Sequence, residues 1–148
     1  MADLFALTYL SEETRSLLPE ELDAILLDAR MFNAAEHVSG VLFYGDGRFF
    51  QLLEGPEEGV MRTFERLSSA KSHKNLRVLS QGPTSARLFE SWHMGFVRAP
   101  TTAMQELSQS AWEDAFPYTK SEAETSEGLR LLVYYWNKWS AEPIRSAP

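Results

Sequence analysis

Leu4 to Leu10 is a short apolar run rich in strand formers that stops at the polar triplet Ser11-Glu12-Glu13, and a bounded run of this kind predicts a strand. Pro19 followed by Glu20 and Glu21 carries the signature of a first helical turn. Proline has no N–H to lose there, and acids suit the positive end of the helix dipole. Leu22, Ile25, Leu26 and Ala29 then recur at helical spacing, which predicts a helix over about 19–32. Val38 to Tyr44 and Arg48 to Leu53 are apolar runs on either side of Gly45-Asp46-Gly47, a hairpin signal because Asp-Gly readily takes the positive φ of tight turns. Pro56 opens a second helix whose apolar stripe is Val60, Met61, Phe64 and Leu67. Leu76 to Leu79 predicts a fourth strand and Phe89 to Val97 a fifth, with Gly82-Pro83 as the break between them. Thr101 to Trp112 and Glu122 to Trp139 read as helices, the second carrying Leu132, Trp136 and Trp139 along one side.

The order strand, helix, strand, strand, helix, strand, plus one further strand, is that of an α+β, ferredoxin-like arrangement. It implies a mixed sheet with two helices on one face, and the two C-terminal helices are the candidates to cap the other. Residues 1–98 are expected to form the main unit and 99–148 a helical cap or output extension, with the last residues from Glu142 frayed.

A chain of 148 residues suits one folding unit, since domains run at roughly 150 residues. Fourteen Lys and Arg stand against 21 Asp and Glu, a net charge of −7. Such a chain lacks the positive patch that supplies most nucleic-acid affinity, so no nucleic acid is expected. The absence of cysteine excludes disulfides, thiolate metal sites and a cysteine nucleophile. His37, His73 and His93 are far apart with no carboxylate at ligand spacing, so no metal is expected. No glycine-rich phosphate loop and no nucleophile elbow is present. The N-terminus lacks a basic signal-peptide start, and no uncharged apolar run reaches the roughly 18 residues of a membrane helix. The expectation is a cytoplasmic protein with no membrane contact.

What remains is polar residues inside apolar strands. Tyr9 is in phase with Phe5 and Leu7, and Gln51 with Phe49 and Leu53, so both should point to a buried face. A buried glutamine must satisfy one acceptor and two donors or cost about 1–3 kcal/mol. From spacing alone, Tyr9 and Gln51 could simply bond each other or nearby backbone groups.

Phe49-Phe50-Gln51-Leu52-Leu53-Glu54-Gly55 resembles a BLUF domain, the blue-light sensor that uses flavin. Tyr9-Leu10-Ser11, Asn33-Ala34, Val38-Ser39-Gly40-Val41-Leu42, Gly82-Pro83 and Phe89-Glu90-Ser91-Trp92-His93-Met94 match in order and spacing, so the resemblance covers about residues 3–98. It implies a flavin ring between the two helices, edge-on to Tyr9 and Gln51. Asn33 would bond its carbonyl and N3 edge, Arg66 its pyrimidine side, and Ile25, Phe49 and Leu67 would line the slot. Without the resemblance, those three apolar residues read as ordinary core. Phe32 stands where several relatives carry a second polar flavin contact, which suggests that Phe32 packs against the ring instead. The family mostly takes FAD and accepts FMN or riboflavin.

The resemblance further implies that Tyr9 is the photochemical electron donor, that Gln51 passes the proton and changes its hydrogen bonding, and that Trp92 and Met94 carry the change into the C-terminal helices. The expected product is a short stand-alone photoreceptor, not an enzyme, acting on a downstream protein partner and assembling as a homo-oligomer. Two rival readings are a flavin-binding protein without photoactivity and a small acylphosphatase-like enzyme. The enzyme would need a convergent Arg and Asn, for which Arg15 and Asn33 are poor candidates.

Overall fold

The computed structural model describes residues 4–89, 94–112 and 126–139. The elements in chain order are β1 (Leu4–Glu13), α1 (Pro19–Ala35), β2 (Ser39–Gly45), β3 (Arg48–Pro56), α2 (Glu57–Ser68), β4 (His73–Thr84), β5 (Gly95–Arg98), α3 (Thr101–Gln109) and α4 (Glu127–Trp139). The strands form one sheet in the order β4-β1-β3-β2-β5. The first four strands pair antiparallel, and β5 joins β2 in parallel, so the sheet is mixed. This is the ferredoxin-like α+β arrangement the strand order implied.

Local chemistry sets the boundaries. Pro19 stands at the start of α1 with Glu20 and Glu21 in the first turn, and the Glu21 carboxylate accepts from the Leu18 N–H at 3.1 Å. Arg15, just before the helix, pairs with the same carboxylate. Asp46 and Gly47 both have positive φ, 53° and 68°, and they join β2 to β3 as a two-residue turn whose twist matches the flanking strands.

Period-two alternation divides the apolar residues between two cores. On one face Leu7, Tyr9, Leu42, Phe49 and Leu53 meet Leu22 and Leu26 of α1 and Val60 of α2. On the other, Ala6, Val41, Phe43, Phe50 and Leu52 meet Met104 and Leu107 of α3 and Leu129, Leu132 and Trp136 of α4. The C-terminal helices therefore cap the sheet face that α1 and α2 leave bare.

Three expectations need correction. Gly82-Pro83 does not break the chain: both lie inside β4, opposite Ala6 and Phe5. β4 is an edge strand, and an edge tolerates proline because its outward N–H groups have no ladder partner. Among the described residues the fifth strand is only Gly95–Arg98. Phe89 precedes it, its N–H held at 2.7 Å by the carboxylate of Glu54, which also accepts from Leu88. Finally α3 stops at Gln109, where the Ser110 hydroxyl bonds the Glu106 carbonyl and competes with the helix ladder. The start expected for α4 at Glu122, and the tail from Glu142, lie outside the described residues.

The hairpin tip is tied to the end of β1. The Glu13 N–H donates to Gly47 O at 2.8 Å, and the Tyr44 hydroxyl donates to Glu13 Oε2. Desolvation first, then the bond and charge of Glu13, push the Tyr44 phenol up to about 12, with Arg98 opposing. Folded Tyr44 keeps its proton where the unfolded phenol, ionising near 10, has lost it. The stability it contributes is therefore complete below pH 10 and lost as pH rises toward 12. Urea unfolding across this window should show a shallower decline for Tyr44→Phe than for the parent chain; identical slopes would contradict the assignment. A second expectation concerns Gly95, where an added Cβ would lie 2.4 Å from Cη2 and 2.9 Å from Cζ3 of Trp136. Trp136 is 2% exposed and cannot step aside, so Gly95→Ala should destabilise by about 1–3 kcal/mol, read as a lower urea midpoint at unchanged m.

Candidate functional site

Between α1, α2 and the sheet lies a cavity of about 300 Å³. The sheet supplies its floor through Tyr9 of β1, Leu42 of β2, and Phe49 and Gln51 of β3. Ile25, Asp28 and Ala29 of α1 form one wall, and Arg66 and Leu67 of α2 form the other. Ser69, Ala70, Ser72, His73 and Met94 complete it.

The floor follows from register. Tyr9 and Gln51 are direct partners across β1 and β3, and Leu42 faces Gln51 from β2. The Tyr9 hydroxyl donates to Gln51 Oε1, and Gln51 Nε2 donates to Met94 Sδ at 3.2 Å. A thioether can only accept, so the amide is oriented with its nitrogen toward Met94 and its oxygen toward Tyr9. One hydrogen of Nε2 remains uncommitted to any described residue. Complete burial pushes the Tyr9 phenol well above its usual range, which holds the hydroxyl protonated as a donor.

The rim is charged and aromatic. Arg66 pairs with Asp28, and its guanidinium lies 4.4 Å above the Phe32 ring. His73 packs edge-on to Tyr9 and Phe49, with ring centroids at 6.2 and 6.0 Å. Its Nε2 meets the Leu67 carbonyl, which can only accept. In that tautomer Ser11 donates to Nδ1 at 2.9 Å.

Seven residues named from the sequence therefore line one cavity: Tyr9, Ile25, Phe49, Gln51, Arg66, Leu67 and Met94. Asn33 is buried near the end of α1, where its carbonyl accepts from the Val38 N–H at 2.8 Å, and it is not among the lining residues. Trp92 lies outside the described residues. Phe32 carries the Arg66 guanidinium, a role its position in the sequence did not suggest. Asp28 and His73 were missed, because a lone carboxylate on a helix and a lone histidine before a strand carry no signal until α1 meets α2. Arg15 and Asn33 sit at opposite ends of α1 and form no anion loop, which removes the acylphosphatase-like reading. Among the described residues no group of three metal-ligating side chains occurs, and no helix is long and apolar enough to cross a membrane.

The donor set suits a flavin ring. Ile25, Leu42, Phe49 and Leu67 give a slot with apolar sides, while Gln51, Arg66, Asp28 and His73 put polar groups at its edges. A flat, mostly apolar ring with one polar edge needs that division.

Comparison with known proteins agrees. The profile of the family described as BLUF, sensors of blue light using FAD, matches residues 4–95. The beta subunit of the photoactivated adenylate cyclase of Euglena gracilis is 32% identical over 105 residues, 70% of this chain but 12% of that one. The chain thus spans about an eighth of that enzyme, and the shared stretch is the sensor part. The solved photo-activated state of BlsA is 27% identical, with a TM-score of 0.68 over 97% of this chain and 99% of that one. The dark-state structure of BlrB, a BLUF protein, is 26% identical, with a TM-score of 0.66 over 89% and 96%. A family match over well more than half of the residues, on a fold and cavity that agree with it, places this chain in the BLUF family of flavin-using blue-light sensors.

Proposed function

We propose that the chain takes FAD as its flavin in the cavity between α1 and α2, and that Tyr9 and Gln51 form its light-driven switch. The observation that carries this reading is the hydrogen-bond chain Tyr9–Gln51–Met94 along the cavity floor. Ile25, Phe49 and Leu67 would grip the ring faces, and Asn33 and Arg66 are the candidates for its polar edge. FMN or riboflavin would enter the same slot, because the ring rather than the tail is held.

When bound, the flavin supplies absorption of blue light and an excited state that draws an electron. The chain's own part begins at Tyr9, whose phenolic proton already lies on a bond to Gln51 Oε1. A phenol that loses an electron becomes far more acidic, so its proton moves along that bond to Oε1. When electron and proton return, the amide is left rotated or tautomerised. A primary amide suits this role because its two ends match in shape and oppose in hydrogen-bonding character. A rotated amide turns oxygen toward Met94, whose sulfur has no proton to donate, so the Gln51–Met94 bond is lost.

That loss has a route outward. Met94 is followed by Gly95, which pairs with Val41 of β2 and packs against Trp136 of α4. Residues 1–98 would then be the sensory part and 99–148 the output extension, a cytoplasmic switch acting on a partner protein through α3 and α4. Leu27 and Met31, 62% and 67% exposed on the outer side of α1, favour assembly with a second copy.

Purified protein loaded with FAD should be yellow, shift its bands slightly to longer wavelength under blue light, and return in darkness. Gln51→Leu should keep the flavin and lose the shift; a normal shift in that variant would sink the switch. A yellow parent protein that does not respond to light would leave flavin binding and remove the photochemistry.

A further inference from the structure

The Met94 end of the hydrogen-bond chain is held by a residue outside the cavity lining. Arg30, on α1 directly after Ala29 of the cavity wall, donates from Nε to the Met94 carbonyl at 3.0 Å. Three other arginines behave differently: Arg15, Arg62 and Arg66 each pair with a carboxylate. We propose that Arg30 is a positioning residue of the light switch, tethering the main chain of Met94 to α1 so that the thioether stays beneath the Gln51 amide. This rests on the functional reading above.

The chemistry favours the tether over the sulfur bond as the stronger hold. A thioether is a weak acceptor, whereas a guanidinium N–H to a carbonyl is a charge-assisted bond. Met94 is also the last residue before β5, so ladder pairing begins only at Gly95, opposite Val41. Among the described residues, Arg30 holds the Met94 main chain just ahead of the point where strand pairing begins. With Arg30, the methionine returns to a defined place once the amide turns back. The tether therefore favours the dark arrangement and speeds its recovery.

The test uses the full chain with FAD, comparing the parent with Arg30→Met, which keeps length and removes every donor, and Arg30→Lys, which keeps charge and a donor. Arg30 is exposed, so both variants should fold. Two readouts are taken: the rate of dark recovery after a blue pulse, and hydrogen exchange of the Gly95–Arg98 amides in darkness. Arg30→Met should recover about tenfold more slowly, equivalent to about 1.4 kcal/mol, with faster exchange in β5, and Arg30→Lys should restore both toward the parent. Recovery of Arg30→Met within twofold of the parent, or unchanged β5 exchange, would overturn the proposal. A parent chain with no red shift would overturn the functional reading itself; in that case β5 exchange still decides whether Arg30 holds Met94.

Discussion

Everything in the chromophore half of the molecule depends on one buried polar contact, the hydrogen bond from Tyr9 to Gln51. Both side chains are almost completely excluded from water, at 1% and 2% exposure. Leaving either group unpartnered there would cost about 1–3 kcal/mol, so the pair favours the register that sets Tyr9 opposite Gln51. A one-residue slip would turn Tyr9 and Gln51 to opposite faces and bury both unsatisfied. The two strands that carry the pair are both inner strands, each with a neighbour on both sides. The contact thus lies within the interior of the sheet, away from its edge strands β4 and β5.

The sheet's two faces divide the work. One carries the cavity under α1 and α2, the other a dense aromatic core under α3 and α4, with Trp112 5.2 Å from Phe50 and Trp136 5.6 Å from Phe89 between ring centroids. Side chains on opposite faces cannot touch through a packed strand, so communication has to run along a strand at the edge. β5 is that strand: four residues, parallel to β2, with Met94 before it on the cavity side and Gly95 against Trp136 on the other. Consecutive residues that serve opposite faces are what period-two geometry provides. A glycine at the second position lets the indole approach the backbone directly.

How much of this was legible in the chain follows from the range of each interaction. Alternation within β1 and β3 put Tyr9 and Gln51 on a buried face, and Asp46-Gly47 named its own turn, because both signals are local. The resemblance added the flavin and gathered Ile25, Phe49, Arg66 and Leu67 about the same slot. The pairing of Arg66 with Asp28, the seat of His73 beneath Leu67, and the Arg30 tether needed two distant segments to meet. No periodicity within one segment announces such a meeting. Gly82-Pro83 misled for a related reason: the pair reads as a turn unless one knows the strand lies at an edge. Glu54, named from the sequence only as part of the Phe49–Gly55 motif, is 0% exposed and bonded to the Leu88 and Phe89 N–H groups. The loop that covers it turns it into an anchor.

The energetic scale sets what kind of signal this arrangement can send. A neutral hydrogen bond contributes about 0.5–1.5 kcal/mol, while inverting a 1:99 equilibrium takes about 5.5 kcal/mol. Exchanging the ends of one amide therefore cannot drive a large rearrangement against a stable core, and the packed face under α3 and α4 is such a core. It can shift an element that is already close to balance by roughly tenfold. Met94 is placed for this, directly before β5: the next residue, Gly95, pairs with Val41 and packs on Trp136. The contact of Met94 with the amide is through the sulfur. Because the residue after Met94 is held by Val41 and lies against Trp136, a weak bond lost at the amide is felt first where β5 meets α4.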